Sequence, residues 1–241
     1  MTIIVHHLGI SQGERILWLC EELGLPYEIV KHTRSPLGAP DSLKAVTGNA
    51  TGKSPFIEDT DAKIGLAESA AICEYLIHTY GEGRLAIKPG DKQYPDYLYW
   101  FHFANGTQIP TMQDWMFLSL VEGDNIAKQI ADQRVHAMLK VADERLKNSR
   151  WFAGPDFTAA DIMSMYGFST QRYWGPQWSY EKYPNIVRWM GDCAVREAYR
   201  KAMAKGDPEM ALLTGVEGPK IGMFAAGGTA SDHWKQGKGN L

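Results

Sequence analysis

The residues best suited to chemistry lie between positions 53 and 69. Lys53, Ser54 and Pro55 open a short apolar run that fits a strand, and Glu68 with Ser69 precedes a helical series of apolar residues. A proline at the first strand position loses no ladder bond, and it keeps the residue before it extended. Ser69 is predicted to be the N-cap of the following helix. An extended edge residue beside a capped helix N-terminus suits a small peptide that carries a carboxylate.

Ser11 is a second hydroxyl of interest, and it lies in the turn between the first predicted strand and the first predicted helix. Ser11 and Glu14 have the S-x-x-E spacing of a capping box, in which each side chain accepts a bond from the other residue's backbone N–H. The competing interpretation is that the hydroxyl serves a ligand at the N-terminus of the helix. Both interpretations use the Ser11 hydroxyl oxygen, and the sequence of this turn, without the other motifs, favours the N-cap role.

The elements that must position these residues follow the order β-α-β and then β-β-α. The predicted strands cover residues 2–8, 27–31, 55–59 and 63–66. One helix ends at Gly24, and another runs over residues 69–80. A strand–helix–strand unit implies parallel pairing through a right-handed crossover, and the hairpin adds an antiparallel edge. This α/β pattern predicts a thioredoxin-like domain over residues 1–84.

The remainder of the chain is predicted to be helical almost to its end. A Gly- and Pro-containing linker precedes an all-helical domain over residues 91–205, whose first helix is expected to kink at Pro110. Thr158 and Asp161 match a capping box at the start of a later helix, and we assign both to folding. Gly, Lys, Asp and Pro dominate residues 206–241, which we predict to be an irregular tail.

The composition is that of an ordinary globular protein. The chain has 241 residues, of which 44% are apolar, and its formal net charge is −3. No general positive field would therefore attract nucleic acid or an acidic membrane. The apolar runs fall short of the ~20 residues that span a membrane, and the N-terminus lacks the features of a signal peptide. We predict a soluble, cytoplasmic protein.

The cysteines and histidines indicate neither a disulfide framework nor a metal site. Three cysteines, widely spaced and odd in number, are typical of a reducing compartment, and Cys20 and Cys73 are expected to be small core residues. His6 and His7 are adjacent in a predicted strand, so their side chains point to opposite faces and cannot chelate together. No metal is predicted.

The order and spacing of these motifs resemble those of the glutathione transferases over residues 3–204. The motifs that carry the resemblance are Gly52-Lys53-Ser54-Pro55, Glu68-Ser69, Phe157-Thr158-Ala159-Ala160-Asp161 and Tyr183-Pro184-Asn185-Ile186. The region of Ser11 and Arg15-Ile16-Leu17-Trp18-Leu19 is similar to the serine-type transferases common in bacteria and fungi. Many of those proteins have a second hydroxyl and an arginine behind the first serine, whereas this chain has Gln12 and Gly13.

The resemblance implies a role for each candidate residue. Ser11 matches the hydroxyl that bonds the glutathione sulfur, and Ser54 matches the residue whose backbone pairs with the cysteinyl unit. Pro55 matches a proline whose preceding peptide bond is cis. Glu68 and Ser69 match the pair that holds the γ-glutamyl end, with Glu68 suited to the ammonium and Ser69 to the carboxylate. Lys53 resembles a residue that reaches a glutathione carboxylate in some members.

The resemblance also implies a second substrate and a partner. The helical domain is expected to hold a small hydrophobic electrophile, and we name five candidates for its pocket: Phe103, Thr107, Met112, Trp115 and Tyr173. The expected activity is conjugation of glutathione, used as a co-substrate, by a homodimer. Two alternatives stay open at this point. One is a glutathione-dependent peroxidase or ether-cleaving activity at the same site, and the other is a non-catalytic binding or regulatory protein on the same fold.

Overall fold

The chain folds as a sheet-containing domain followed by a helical domain, in a computed structural model that describes residues 2–175 and 178–236. The elements of the first domain are β1 (Ile3–Leu8), α1 (Glu14–Leu23), β2 (Tyr27–His32), α2 (Asp41–Lys44), β3 (Phe56–Asp59), β4 (Ile64–Ala67) and α3 (Ser69–Thr79). The strand order is β2-β1-β3-β4, with β1 parallel to β2 and the other pairs antiparallel. The predicted thioredoxin-like topology is confirmed.

The helical domain contains six longer helices and several short turns in the described part of the chain. These are α4 (Tyr94–Phe103), a π-helical turn (Ala104–Gln108), α5 (Ile109–Ser119), α6 (Ile126–Asn148), α7 (Ala159–Phe168), a 3-10 turn (Thr170–Tyr173), α8 (Pro184–Ala194) and α9 (Glu197–Gly206). Pro110 lies in the first turn of α5, where a missing N–H costs no helical bond. The departure from α-helical geometry therefore falls in the π-helical turn, before the proline at which we expected the kink.

Helix α1 is the element that joins the two domains. Its apolar residues are buried on nearly all sides, and Trp18 makes an edge-to-face contact with Tyr199 of α9 at 4.7 Å between ring centroids. Cys20 of α1 and Cys73 of α3 are fully buried free thiols, as predicted for core residues. Helix α1 is therefore packed between α3 of the first domain and α7 and α9 of the helical domain.

The predicted capping box at the start of α7 is confirmed. The Thr158 hydroxyl accepts a bond from the Ala160 N–H at 3.3 Å, and the Asp161 carboxylate accepts one from the Thr158 N–H at 3.0 Å. The same carboxylate accepts bonds from the Phe152 N–H and the Trp189 indole N–H. Burial raises the pKa of Asp161 to about 6. This residue thus fixes both the helix start and its packing against α8.

The segment after Gly206 packs back onto both domains. Its described part contains a short helix, α10 (Met223–Ala226), in which Met223 is fully buried, and a 3-10 turn (Gly228–Ala230). The Tyr173 hydroxyl donates to the Ala211 carbonyl at 2.6 Å, and the Thr229 N–H donates to the Pro36 carbonyl of the first domain at 3.2 Å. Residues 237–241 of the predicted tail lie outside the described residues. Among the helices that are described, none has the length and apolar character to cross a membrane.

Candidate functional site

Ser54 anchors the loop before β3 to the end of β1. Its hydroxyl accepts a bond from the Leu8 N–H at 3.1 Å and donates to the His6 carbonyl at 3.2 Å. The Ser54–Pro55 peptide bond is cis, as the family resemblance implied. Within the described residues, the backbone N–H and C=O of Ser54 have no hydrogen-bond partner. Both backbone groups are therefore available to an extended peptide ligand.

The Ser11 hydroxyl is bonded within its own loop and lies close to Ser54. It donates to the Leu8 carbonyl at 2.5 Å, accepts from the Gly13 N–H at 3.1 Å, and lies 3.4 Å from the Ser54 hydroxyl oxygen. The predicted capping box with Glu14 is wrong, because α1 begins at Glu14 itself and Gly13 is its N-cap. The Glu14 carboxyl group instead accepts a hydrogen bond from the Thr170 hydroxyl at 2.7 Å.

Gly13 lies where a side chain would collide with its neighbours. Its φ of −58° is ordinary for a helix, so the position needs no special backbone freedom. A Cβ atom placed there would lie 2.5 Å from His7 Nδ1, 3.0 Å from Ser54 Oγ and 3.3 Å from Ser11 Oγ. Three polar side chains therefore converge around this glycine, and any larger residue would displace them.

Ser69 is the first residue of α3, and the prediction that it is the N-cap is wrong. The cap position belongs to Glu68, whose φ of 70° is left-handed and whose side chain makes no capping bond. The Ser69 hydroxyl accepts bonds from Arg15 Nη1 at 2.9 Å and from Asn105 Nδ2 at 3.2 Å. Ser69 is 3% exposed, whereas Glu68 is exposed at the surface. The hydroxyl is thus turned toward a buried cation.

Arg15 is the residue at this site that the sequence interpretation missed. Its side chain is fully buried, and Nη1 also donates to the Asn105 carbonyl oxygen Oδ1 at 2.8 Å. Burial lowers the pKa of Arg15 to about 10, so the guanidinium stays charged at neutral pH. Its Nε and Nη2 have no partner within the described residues. A buried positive charge beside a helix N-terminus favours an anion bound at that terminus.

Asn105 brings the helical domain into this site. It belongs to the π-helical turn, a geometry that often occurs at functional positions. Asn105-Gly106 is an unfavourable pair for the interior of a helix, and this pair was the available sequence signal for an irregular turn. Because Asn105 contacts both Arg15 and Ser69, the corner around Ser69 is built from α1, α3 and the second domain.

The other predicted site residues make no hydrogen bond to Ser11, Ser54 or Ser69 in the described structure. Lys53 is exposed, and its carbonyl accepts a bond from Asn49 Nδ2 at 2.9 Å. The five predicted electrophile residues do not share one cavity among those found in the described structure. Met112 and Tyr173 are fully buried, Phe103 is nearly so, Thr107 is exposed, and Trp115 lines a cavity of about 440 Å³ between α5 and α6. The pocket assignment therefore stays a prediction.

A different cavity lies against the loop that carries Ser11. It has a volume of about 340 Å³ and includes Gly9 and Ile10 from that loop, and Thr229 and Trp234 from the C-terminal segment. None of the five predicted electrophile residues lines it. In the described residues, no group of three or more His, Cys, Asp or Glu side chains is placed to bind a metal ion.

The mixed sheet, the loop containing a cis proline and the helical second domain define a thioredoxin-fold protein with an added helical domain. The glutathione S-transferase N-terminal domain model matches residues 11–79, and the corresponding C-terminal domain model matches residues 70–197. The chain therefore belongs to the glutathione S-transferase family, and it is a glutathione transferase.

Individual relatives agree with this assignment. The chain is 31% identical over 234 residues to glutathione S-transferase 3 of Schizosaccharomyces pombe, covering 89% of this chain and 93% of that one. It is 28% identical over 199 residues to glutathione S-transferase GstB of Escherichia coli, with coverage of 79% and 91%. The crystal structure of a glutathione S-transferase from Actinobacillus pleuropneumoniae superposes with a TM-score of 0.74 at 28% identity, covering 85% and 93%.

Proposed function

We propose that this protein activates the thiol of glutathione through Ser11 and conjugates it to small hydrophobic electrophiles, as a serine-type member of its family. The observation that carries the proposal is the placement of the Ser11 hydroxyl, 3.4 Å from that of Ser54, at the N-terminus of α1. The backbone of Ser54 would pair with the cysteinyl unit of glutathione. The sulfur of a peptide bound there would lie beside Ser11.

The strength of one hydrogen bond is sufficient for activation. A thiol with a pKa near 8.5 is only a few per cent thiolate at neutral pH. A hydrogen bond to a charged acceptor contributes about 1.5–3 kcal/mol, which lowers the pKa of that thiol by roughly one to two units. The N-terminus of α1 adds about 0.3–1 kcal/mol. To donate to sulfur, the Ser11 hydroxyl rotates away from the Leu8 carbonyl, exchanging a neutral bond for a charge-assisted one.

Recognition of the γ-glutamyl end is assigned to the corner built around Ser69. Its hydroxyl and the neighbouring backbone N–H groups at the start of α3 suit the carboxylate, and the Arg15 guanidinium behind them supplies positive charge. The exposed carboxylate of Glu68 suits the ammonium group. Lys53, also exposed, would reach the glycyl carboxylate from the loop before Ser54. No metal enters this proposal.

The direct test measures thiolate formation on the purified protein. Glutathione is titrated into the enzyme while the ultraviolet absorbance of the thiolate is followed, with S-methylglutathione as the control ligand that cannot ionise. A saturable thiolate signal near neutral pH is expected when glutathione is added to the enzyme, and no such signal is expected with S-methylglutathione. A panel containing an aryl halide, an unsaturated aldehyde, an isothiocyanate and an organic hydroperoxide then separates conjugation from peroxidase activity. Binding without a thiolate signal would rule out the activation step.

Replacing Ser69 with alanine is expected to weaken glutathione binding about tenfold while changing kcat much less. The substitution removes a hydroxyl from the carboxylate-binding corner and leaves Arg15 and Asn105 with one partner fewer. Isothermal titration with S-methylglutathione gives the binding constant without the thiol chemistry. A large fall in kcat with unchanged affinity would instead place Ser69 at the reacting sulfur and contradict the assignment.

We infer from family membership that the protein is a cytoplasmic homodimer. Exposed apolar side chains on the two domains are compatible with such an interface, among them Ile64 on β4 at 39% and Tyr99 on α4 at 55% exposure. Sedimentation of the purified chain tests the dimer, and charged substitutions at these two positions are expected to produce monomers.

A further inference from the structure

A buried carboxylate–imidazole pair lies behind the loop that carries Ser11. Asp207 follows the last residue of α9, and its Oδ2 accepts a bond from His7 Nε2 on β1 at 2.9 Å. The side chains of His7 and Asp207 are 0% and 3% exposed. Lys31 Nζ lies 3.9 Å from the other carboxylate oxygen. The pair therefore links the end of the helical domain to the central strand of the sheet.

The same carboxylate oxygen holds the backbone of the Ser11 loop. Asp207 Oδ2 also accepts a bond from the Ile10 N–H at 3.3 Å, and Ile10 is the residue directly before Ser11. Ile10 has a φ of 54°, in the left-handed region that β-branched residues rarely adopt. Such a conformation persists only where surrounding contacts hold it. Asp207 supplies one of those contacts from outside the loop.

Three glycines leave space for this pair, two in the loop between β1 and α1 and one at the end of α9. A Cβ at Gly9 would lie 3.0 Å from Asp207 Oδ1, one at Gly13 would lie 2.5 Å from His7 Nδ1, and one at Gly206 would lie 3.2 Å from His7 Nε2. His7 Nδ1, the ring nitrogen that does not face Asp207, has no hydrogen-bond partner among the described residues. A side chain at any of these three glycines would therefore crowd His7 or Asp207.

We propose that Asp207 is a positioning residue for glutathione activation, which holds the Ile10–Ser11 backbone so that the serine hydroxyl is aimed at the sulfur. The Nε2–H of His7 donates a hydrogen bond that orients the Asp207 carboxylate and offsets part of the free-energy cost of burying it. This inference rests on the proposed function, because Asp207 acts only through Ser11. Asp207 lies beyond residues 70–197, which the C-terminal family model matches.

A direct electrostatic role of Asp207 and a positioning role predict opposite changes in the pKa of the bound thiol when Asp207 is neutralised. The titratable and charged groups that interact electrostatically with this carboxylate are His7 on β1, Glu14 on α1, Lys31 on β2, Arg34 after β2 and Tyr199 on α9. If Asp207 acted on the ligand only through its negative charge, its removal would favour the thiolate and lower the pKa of the bound thiol. If it positions Ser11, removal weakens the sulfur hydrogen bond and raises that pKa.

The experiment is a double-mutant cycle read by thiolate absorbance across pH. Asparagine keeps an oxygen for the Ile10 N–H, but a neutral amide accepts more weakly than a carboxylate, so the loop is held less firmly. We therefore expect Asp207→Asn to raise the pKa of bound glutathione by about one unit and to lower kcat/KM at neutral pH about tenfold. The affinity for S-methylglutathione should stay within about twofold. In the Ser11→Ala background, Asp207→Asn should add no further rise, because its effect passes through the missing hydroxyl. An unchanged or lower thiol pKa, or additive rises, would overturn the proposal.

Asp143→Asn is the matched control. Asp143 is a similarly buried carboxylate that accepts the Asn185 and Ile186 N–H groups at the start of α8. Its neutralisation should lower the melting temperature without moving the thiol pKa. If Ser11→Ala leaves that pKa unchanged, the proposed function fails. If Ser11→Ala raises it and Asp207→Asn does not, only the positioning role fails.

His7 variants keep the test usable if Asp207→Asn does not fold. Glutamine at position 7 can present an N–H donor near the position of Nε2, so His7→Gln should retain the wild-type thiol pKa. His7→Leu leaves the Asp207 carboxylate without this donor and should reproduce the rise expected for Asp207→Asn. Equal thiol pKa values in the two His7 variants would contradict the proposed role of the pair.

Discussion

Ser11→Ala is expected to lower kcat/KM for conjugation about 10- to 100-fold at neutral pH, if the hydroxyl supplies the hydrogen bond proposed for the sulfur. Losing about 1.5–3 kcal/mol of thiolate stabilisation raises the pKa of the bound thiol by roughly one to two units. The deficit should therefore be largest below the raised pKa and should shrink as the pH passes it. Initial rates and thiolate absorbance, both measured as a function of pH, check this expectation.

Ser119→Ala is a suitable control for this substitution. The Ser119 hydroxyl donates to the Met116 carbonyl three residues earlier at 2.7 Å, the same local arrangement that Ser11 makes with Leu8. Ser119 lies at the end of α5 and lines the cavity that contains Trp115, but it does not contact Ser11 or Ser54, so its replacement should leave the pKa of the bound thiol unchanged. If Ser11→Ala kept the wild-type rate, thiolate stabilisation would have to come from backbone N–H groups in the first turn of α1.

The features that could be predicted correctly from the sequence are those whose interacting residues lie close together along the chain. The Thr158–Asp161 box was visible because its partners lie three residues apart, and α7 starts where the box requires. The strands around Ser54 were visible because a proline and a hairpin turn limit them locally. The family motifs added the cis peptide bond and the identity of the peptide ligand, which local spacing could not supply.

The errors fall where a side chain has a distant partner. Ser69 and Glu14 each looked like part of a local cap, yet Ser69 bonds Arg15, 54 positions away, and Glu14 bonds Thr170, 156 positions away. Arg15 was noted only as part of a family motif and was given no role, because its contacts with α3 and the second domain exist only after folding. Tertiary contacts therefore override local capping preference at the junction between the two domains, where the site lies.

Glu14→Gln should stabilise the protein, and the size of the gain should depend on pH. Glu14 is 2% exposed, and burial raises its pKa from 4.5 to about 8 despite the hydrogen bond from Thr170. At neutral pH the folded protein keeps this carboxyl protonated, whereas the unfolded chain ionises it. Each pH unit above 4.5 therefore costs the fold about 1.4 kcal/mol, a total of about 3 kcal/mol at pH 7.

Glutamine resembles the protonated carboxyl in shape and in its donor and acceptor groups, so it removes this cost while keeping an oxygen for Thr170. The gain in the free energy of unfolding should be near zero below pH 4.5, rise through pH 7 and level off above about pH 8. Urea unfolding of both proteins at several pH values measures it. Glu74→Gln, on the exposed face of α3, should change stability by less than about 0.5 kcal/mol throughout. A gain that did not vary with pH would show that Glu14 is ionised in the fold, with its charge balanced by Arg15 beside it.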